Sequence, residues 1–157
     1  MGKKCWILTV ILITALSGMT YKFIFQGNVI VSNDGRIAIQ LDQQERDLVL
    51  SEMRSFLVAV QQITNGISQQ DMQMVAESAR QAGMTNRGNV PDSLIGKLPI
   101  GFKKMGMETH NLFDTLALDA IELEDSEHTL SQLSILMQNC IACHAKYKFE
   151  IIINNFI

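Results

Sequence analysis

Proline, aromatic and charged residues are all scarce in this chain. Two prolines in 157 residues leave little to interrupt helices, and aromatics make up only 6%. The apolar 47% is carried by Leu, Ile, Val, Ala and nine Met, a composition that favours helices over a sandwich or barrel. Charged residues amount to 18%, without a basic stripe, and no internal repeat or low-complexity tract is visible. These absences argue against nucleic-acid binding and against a solenoid. There is no glycine-rich phosphate loop, and the carboxylates are scattered. No hydrolytic or transferase constellation stands out, so the chain does not read as an enzyme. The length suits a single domain with a real core.

The first residues, MGKKCWILTVILITALSGMTYKF, form a separate segment, 1–23. Lys3 and Lys4 precede an uncharged run from Cys5 to Tyr21, the pattern of an export signal, and Ala15-Leu16-Ser17 resembles a small-x-small cleavage site. The run is also at the lower limit for spanning a bilayer. The two lysines would then stay inside and everything downstream would lie outside, so the expected location is the periplasm, free or anchored to the inner membrane. Beyond residue 26, ten basic residues face sixteen acidic ones, a net charge of −6. A partner for such a surface should present basic groups and dock more slowly as salt rises.

Residues 24–41 read as a linker able to hold a short β hairpin, because Asn33-Asp34-Gly35 is a turn signal between two β-prone runs. Four helical patterns follow. The first opens on a capping box, Asp42 with Glu45, and carries Val49, Met53, Phe56, Leu57, Val60 and Ile63 at helical spacing up to a stop at Asn65-Gly66. The second is expected from Ser68 to Gly83, and a loop over roughly 84–98. The third starts near Pro99 and the fourth after the acids at 122–127, running to about Phe149. The predicted fold is all-α, an antiparallel four-helix bundle over 42–150.

Only three cysteines and three histidines occur, yet Cys140, Cys143 and His144 lie within five residues. Independent placement would produce C-x-x-C-H about 0.001 times, and the pattern is the signature of covalent haem c attachment. Taking Cys140 as zero on a helix, Cys143 falls at about −60° and His144 at about +40°, one face. The competing chemistries fit less well. A redox C-x-x-C belongs at a helix start, where the dipole lowers the thiol pKa. Structural zinc needs a fourth suitable ligand. A disulfide across three residues of one helix constrains almost no chain entropy.

The ending NCIACHAKYK resembles the cytochrome c′ family, the class II c-type cytochromes, whose C-x-x-C-H-x-x-[YF]-[RK] ending is met by Cys140, Cys143, His144 and Lys148. The resemblance extends loosely over the bundle and excludes residues 1–41. It implies one covalent haem c loaded after export, thioethers at Cys140 and Cys143, and His144 as proximal iron ligand. In electron-transfer members a Met of the first helix is the distal ligand, which here is Met53. In gas-binding members that place is apolar, and Phe56 or Leu57 would then line it. The family's Arg four residues before the distal position is absent, since Val49 stands there. Lys148, with Lys146, is available to haem propionates. His110 and His128 are expected on the surface.

The resulting expectation is a periplasmic single-haem electron carrier. The alternative is a five-coordinate haem module that captures NO or CO, and a subunit of a larger membrane redox complex ranks third. Expected partners are a basic redox protein, a membrane through the first helix, and, by resemblance, a second copy.

Overall fold

The computed structural model describes residues 2–86 and 88–152 of the chain; residues 1, 87 and 153–157 lie outside them. Helices hold most of these residues, with a small three-stranded sheet. The first helix, α1 (Lys3–Thr20), continues through a π-helical stretch, Tyr21–Gln26. Together they form one 24-residue helix long and apolar enough to cross a membrane, with none of its residues buried by the rest of the chain. At about 1.5 Å per residue it spans roughly 36 Å.

The segment expected as a linker is instead part of the core. Strands β1 (Val29–Val31) and β2 (Ile37–Leu41) form the hairpin, antiparallel with Val29 opposite Ile39. Gly35 takes φ +82° in the turn, where an L side chain would be strained. Ala38, Ile39 and Leu41 are fully buried. Gly27, at φ +69°, packs so tightly on the backbone of Lys97–Pro99 that a Cβ would collide there.

Helix α2 (Gln43–Gln69) opens on the expected capping box: the Glu45 amide donates to Asp42 Oδ1 at 2.9 Å and the Asp42 amide to Glu45 Oε2 at 3.1 Å. Lys97 Nζ reaches the buried Glu45 carboxylate at 2.5 Å, and that contact raises the lysine pKa. The helix does not stop at Asn65-Gly66 but runs on to Gln69, with Gln70 left-handed at φ 57°. Gly66 serves packing rather than termination. A Cβ there would lie 2.8 Å from Val75 Cγ2, so the missing side chain lets α2 and α3 approach.

Helix α3 (Met72–Ala82) starts later than its sequence pattern suggests, capped by Asp71, which accepts from the Met74 amide at 2.9 Å. The loop after it holds a short helix, α4 (Asp92–Lys97). Helix α5 (Ile100–Leu123) begins after Pro99, and α6 (Ser126–Lys146) after Asp125, whose carboxylate accepts from the amides of Glu127 and His128. The fourth helix was expected to reach Phe149; it ends at Lys146. Tyr147–Ile151 form β3, parallel to β2 with Ile39 opposite Phe149. The period-2 alternation Tyr147, Phe149, Ile151 suits a strand, and Phe102 packs edge-on against both rings at 5.5 Å.

Packing runs α2 on α3, α3 on α5 and α5 on α6, and α6 also touches α2. Two cores result. One gathers Ile63, Val75, Phe113, Leu116 and Leu136 between these helices. The other gathers Ile39, Leu41, Val49, Leu94, Leu98 and Tyr147 beneath the sheet. Each fully buried large side chain contributes about 1.5–3 kcal/mol.

Candidate haem site

Helical spacing carries four separate stripes to the seam between the two cores. Helix α2 presents Val49, Met53 and Phe56 at i, i+4, i+7, and α5 presents Phe102, Met105, Gly106, Thr109 and His110. Helix α6 brings Cys140, Cys143 and His144, α4 adds Leu94, and Leu98 follows just after α4. They line a cavity of about 470 Å³, open on one side, within the range of ligand pockets. Cys140 packs against the first core and Cys143 against the second. Asn139, just before Cys140, locks α6 to α5 by donating to Met105 O at 3.0 Å and Thr109 Oγ1 at 2.7 Å.

The C-x-x-C-H triplet therefore lines one cavity, as expected of residues on a single helical face, and Met53 lines it too. A smaller pocket of about 130 Å³ also borders on Met53, Cys143 and His144, together with Arg36, Tyr147 and Lys148. Leu57, an expected wall residue, is 69% exposed and does not line the cavity; Phe56 does. Helical spacing explains the split, because Leu57 lies about 100° round the helix from Phe56.

The largest miss is His110. Expected on the surface, it is 5% exposed and lines the cavity. Its Nδ1 lies 2.7 Å from Ala82 O, its Nε2 lies 3.3 Å from Glu52 Oε1, and Phe56 packs edge-on against the ring at 5.0 Å. Its i+3 and i+7 neighbours, Phe113 and Ala117, are both buried. That spacing was the available signal, hidden because histidine is a weak mark of a core position. His128 is on the surface as expected, with Nε2 at 3.4 Å from Asp119. Lys148 lies 2.8 Å from Glu150 and 3.9 Å from Asp34.

Both cavity cysteines are free thiols. Burial pushes both pKa values up, and that of Cys143 reaches about 11 with the nearby Cys140 adding to the effect. They lie near the C-terminal end of α6, away from a helix dipole that would favour a thiolate. This disfavours thiol–disulfide chemistry. Among the described residues no three His, Cys, Asp or Glu side chains are grouped to hold a bare metal ion. A metal that brings its own equatorial ligands needs less: two thiols, one imidazole beside them and one further donor on a facing helix. Cys140, Cys143, His144 and Met53 fit that requirement. No known protein family matches the chain, and no curated protein or solved structure does either.

Proposed function

We propose that α2, α3, α5 and α6 form an antiparallel four-helix bundle over residues 42–150 that holds one covalent haem c, and that the protein carries electrons. The observation that carries this reading is the shared cavity of Cys140, Cys143, His144 and Met53. The cyclic packing of the four helices supports the bundle. When bound, haem c supplies a reversible one-electron iron couple, and no substrate bond is made or broken.

The chain's own residues anchor, ligate and line the site. Each thiol of Cys140 and Cys143 would add its S–H across a vinyl C=C, forming a thioether with no leaving group. His144 would supply the proximal nitrogen and Met53 the distal sulfur, a pairing that raises the reduction potential. Leu94, Leu98, Phe102 and Phe56 give the cavity apolar walls. Asn139 holds the cysteine-bearing turns at a set distance from α5.

The apolar helix Lys3–Gln26 supports export or anchoring on the outer face of a bacterial inner membrane, with the bundle in the periplasm. The acidic balance supports a redox partner with a basic docking surface. A homodimer through the first two bundle helices rests on the family resemblance alone.

One feature favours NO or CO capture as a second reading. Gly106 lines the cavity without a side chain, and a Cβ built there meets nothing within 4 Å, which supports an open wall at that point. The test is the ferric absorption and EPR spectrum of the chain expressed with a haem-maturation system. A low-spin six-coordinate signal supports the carrier, and a high-spin five-coordinate one supports gas capture. Absence of covalent haem would sink both.

A further inference from the structure

We propose that Lys103, rather than Lys148, receives a propionate carboxylate of the haem; this rests on the haem reading above. The two lysines stand in different electrostatic situations. Lys148 already has anions beside it, Glu150 at 2.8 Å and Asp34 at 3.9 Å. Lys146 is exposed and lies over the Tyr147 ring at 5.3 Å. Lys103 lines the cavity itself, is half-buried, and has no carboxylate within ion-pair distance among the described residues. Burial pushes its ammonium pKa down, the mark of a cation short of a counterion. The other ionisable lining groups are Glu52, His110, His144 and the thiols of Cys140 and Cys143, and the Glu52 carboxylate is turned to His110 at 3.3 Å.

Position agrees with charge. Asn139 of α6 bonds the Met105 carbonyl and the Thr109 hydroxyl, so that side of α5 faces the cysteine helix. Lys103 precedes Thr109, whose side chain takes the Asn139 bond, by six residues, about 120° round the helix, and so belongs to a wall turned away from that contact. The vinyl and propionate groups of a haem occupy opposite edges of the macrocycle. Tethering the vinyl edge to Cys140 and Cys143 turns the carboxylates away from α6, toward that wall. An apolar cavity that accepts a carboxylate needs a cation there, and Lys103 is placed to provide it.

The experiment is resonance Raman spectroscopy of the full-length haem protein, following the propionate bending band. The parent is compared with Lys103→Met, Lys103→Arg and Lys148→Met, all checked for unchanged helicity. The expected result is a shifted band in Lys103→Met, with the parent position kept in Lys103→Arg and Lys148→Met. The midpoint potential should also fall in Lys103→Met, because an uncompensated carboxylate favours Fe(III). An unmoved band in Lys103→Met, or one moved only by Lys148→Met, overturns the assignment while leaving the haem reading intact. A parent chain with no covalent haem removes the haem reading and this assignment together.

Discussion

Replacing His110 with alanine tests the packing of the cavity wall. Since a carbonyl can only accept, the 2.7 Å contact to Ala82 O makes Nδ1 a donor. Truncation leaves that carbonyl, in a buried residue, without its partner, at a cost of about 1–3 kcal/mol. The ring also packs on Phe56 at 5.0 Å, and emptying its space costs about 2 kcal/mol more, the low end for large-to-small core changes. The sum, about 3–5 kcal/mol, is a large share of the stability of an ordinary domain. For a domain of this size the melting temperature should fall by about 10–15 °C. His110→Gln, which can keep an amide donor near Ala82 O, should lose about half as much. His128→Ala is the control, because that side chain is 43% exposed and should cost under about 0.5 kcal/mol. The assay is thermal unfolding of the haem-loaded protein, followed by far-UV circular dichroism. If His110→Ala melts within a degree or two of the parent, the ring is not buried as described. If the chain holds haem, the ferric spectrum of this variant should stay like the parent's, because Ala82 O and Glu52 engage both ring nitrogens. Loss of the low-spin signal in His110→Ala, with Met53→Ala unaffected, would transfer the distal place to His110.

Three further outcomes are expected. Met53→Ala should convert a low-spin ferric spectrum to high-spin and open the iron to added ligands; an unchanged spectrum removes Met53 from coordination. Gly106→Ala should stabilise the chain before haem is attached by about 0.5–1 kcal/mol, since its Cβ meets open space, whereas Gly106→Trp should fill the cavity and cut covalent haem loading measured by pyridine haemochrome. Hydrogen bonds from Arg36 hold the Asp34 carboxyl down at about 2 instead of 3.8, so its contribution is present above pH 3.8 and is lost as pH falls through about 2. Asp34→Asn should melt below the parent at pH 5 and converge with it near pH 2 in a pH series of melting temperatures.

Much of this architecture is visible in local chemistry. The capping box at Asp42 and Glu45, the Gly35 turn, the apolar first helix and the shared face of Cys140, Cys143 and His144 each depend on residues within a few positions of one another. Interactions of that range follow from backbone sterics, helical spacing and hydropathy, and need no distant partner. The features that were missed are those in which a remote segment outweighs a local preference. Asn65-Gly66 is a stop signal by composition, yet the helix continues because Val75 needs the space a side chain would fill. Tyr147–Ile151 could extend α6, but pairing with β2 and the packing of Phe102 draw them into a strand. His110 is polar, and its burial depends on a carbonyl 28 residues away and a carboxylate on another helix. The counterion state of Lys103 and Lys148 likewise depends on which carboxylates the fold brings near. The local pattern was sufficient for the helices and the cysteine–histidine face. Long-range pairing of polar groups and strands decided the walls of the cavity, because the cost of burying such groups is offset only by partners that tertiary structure brings together.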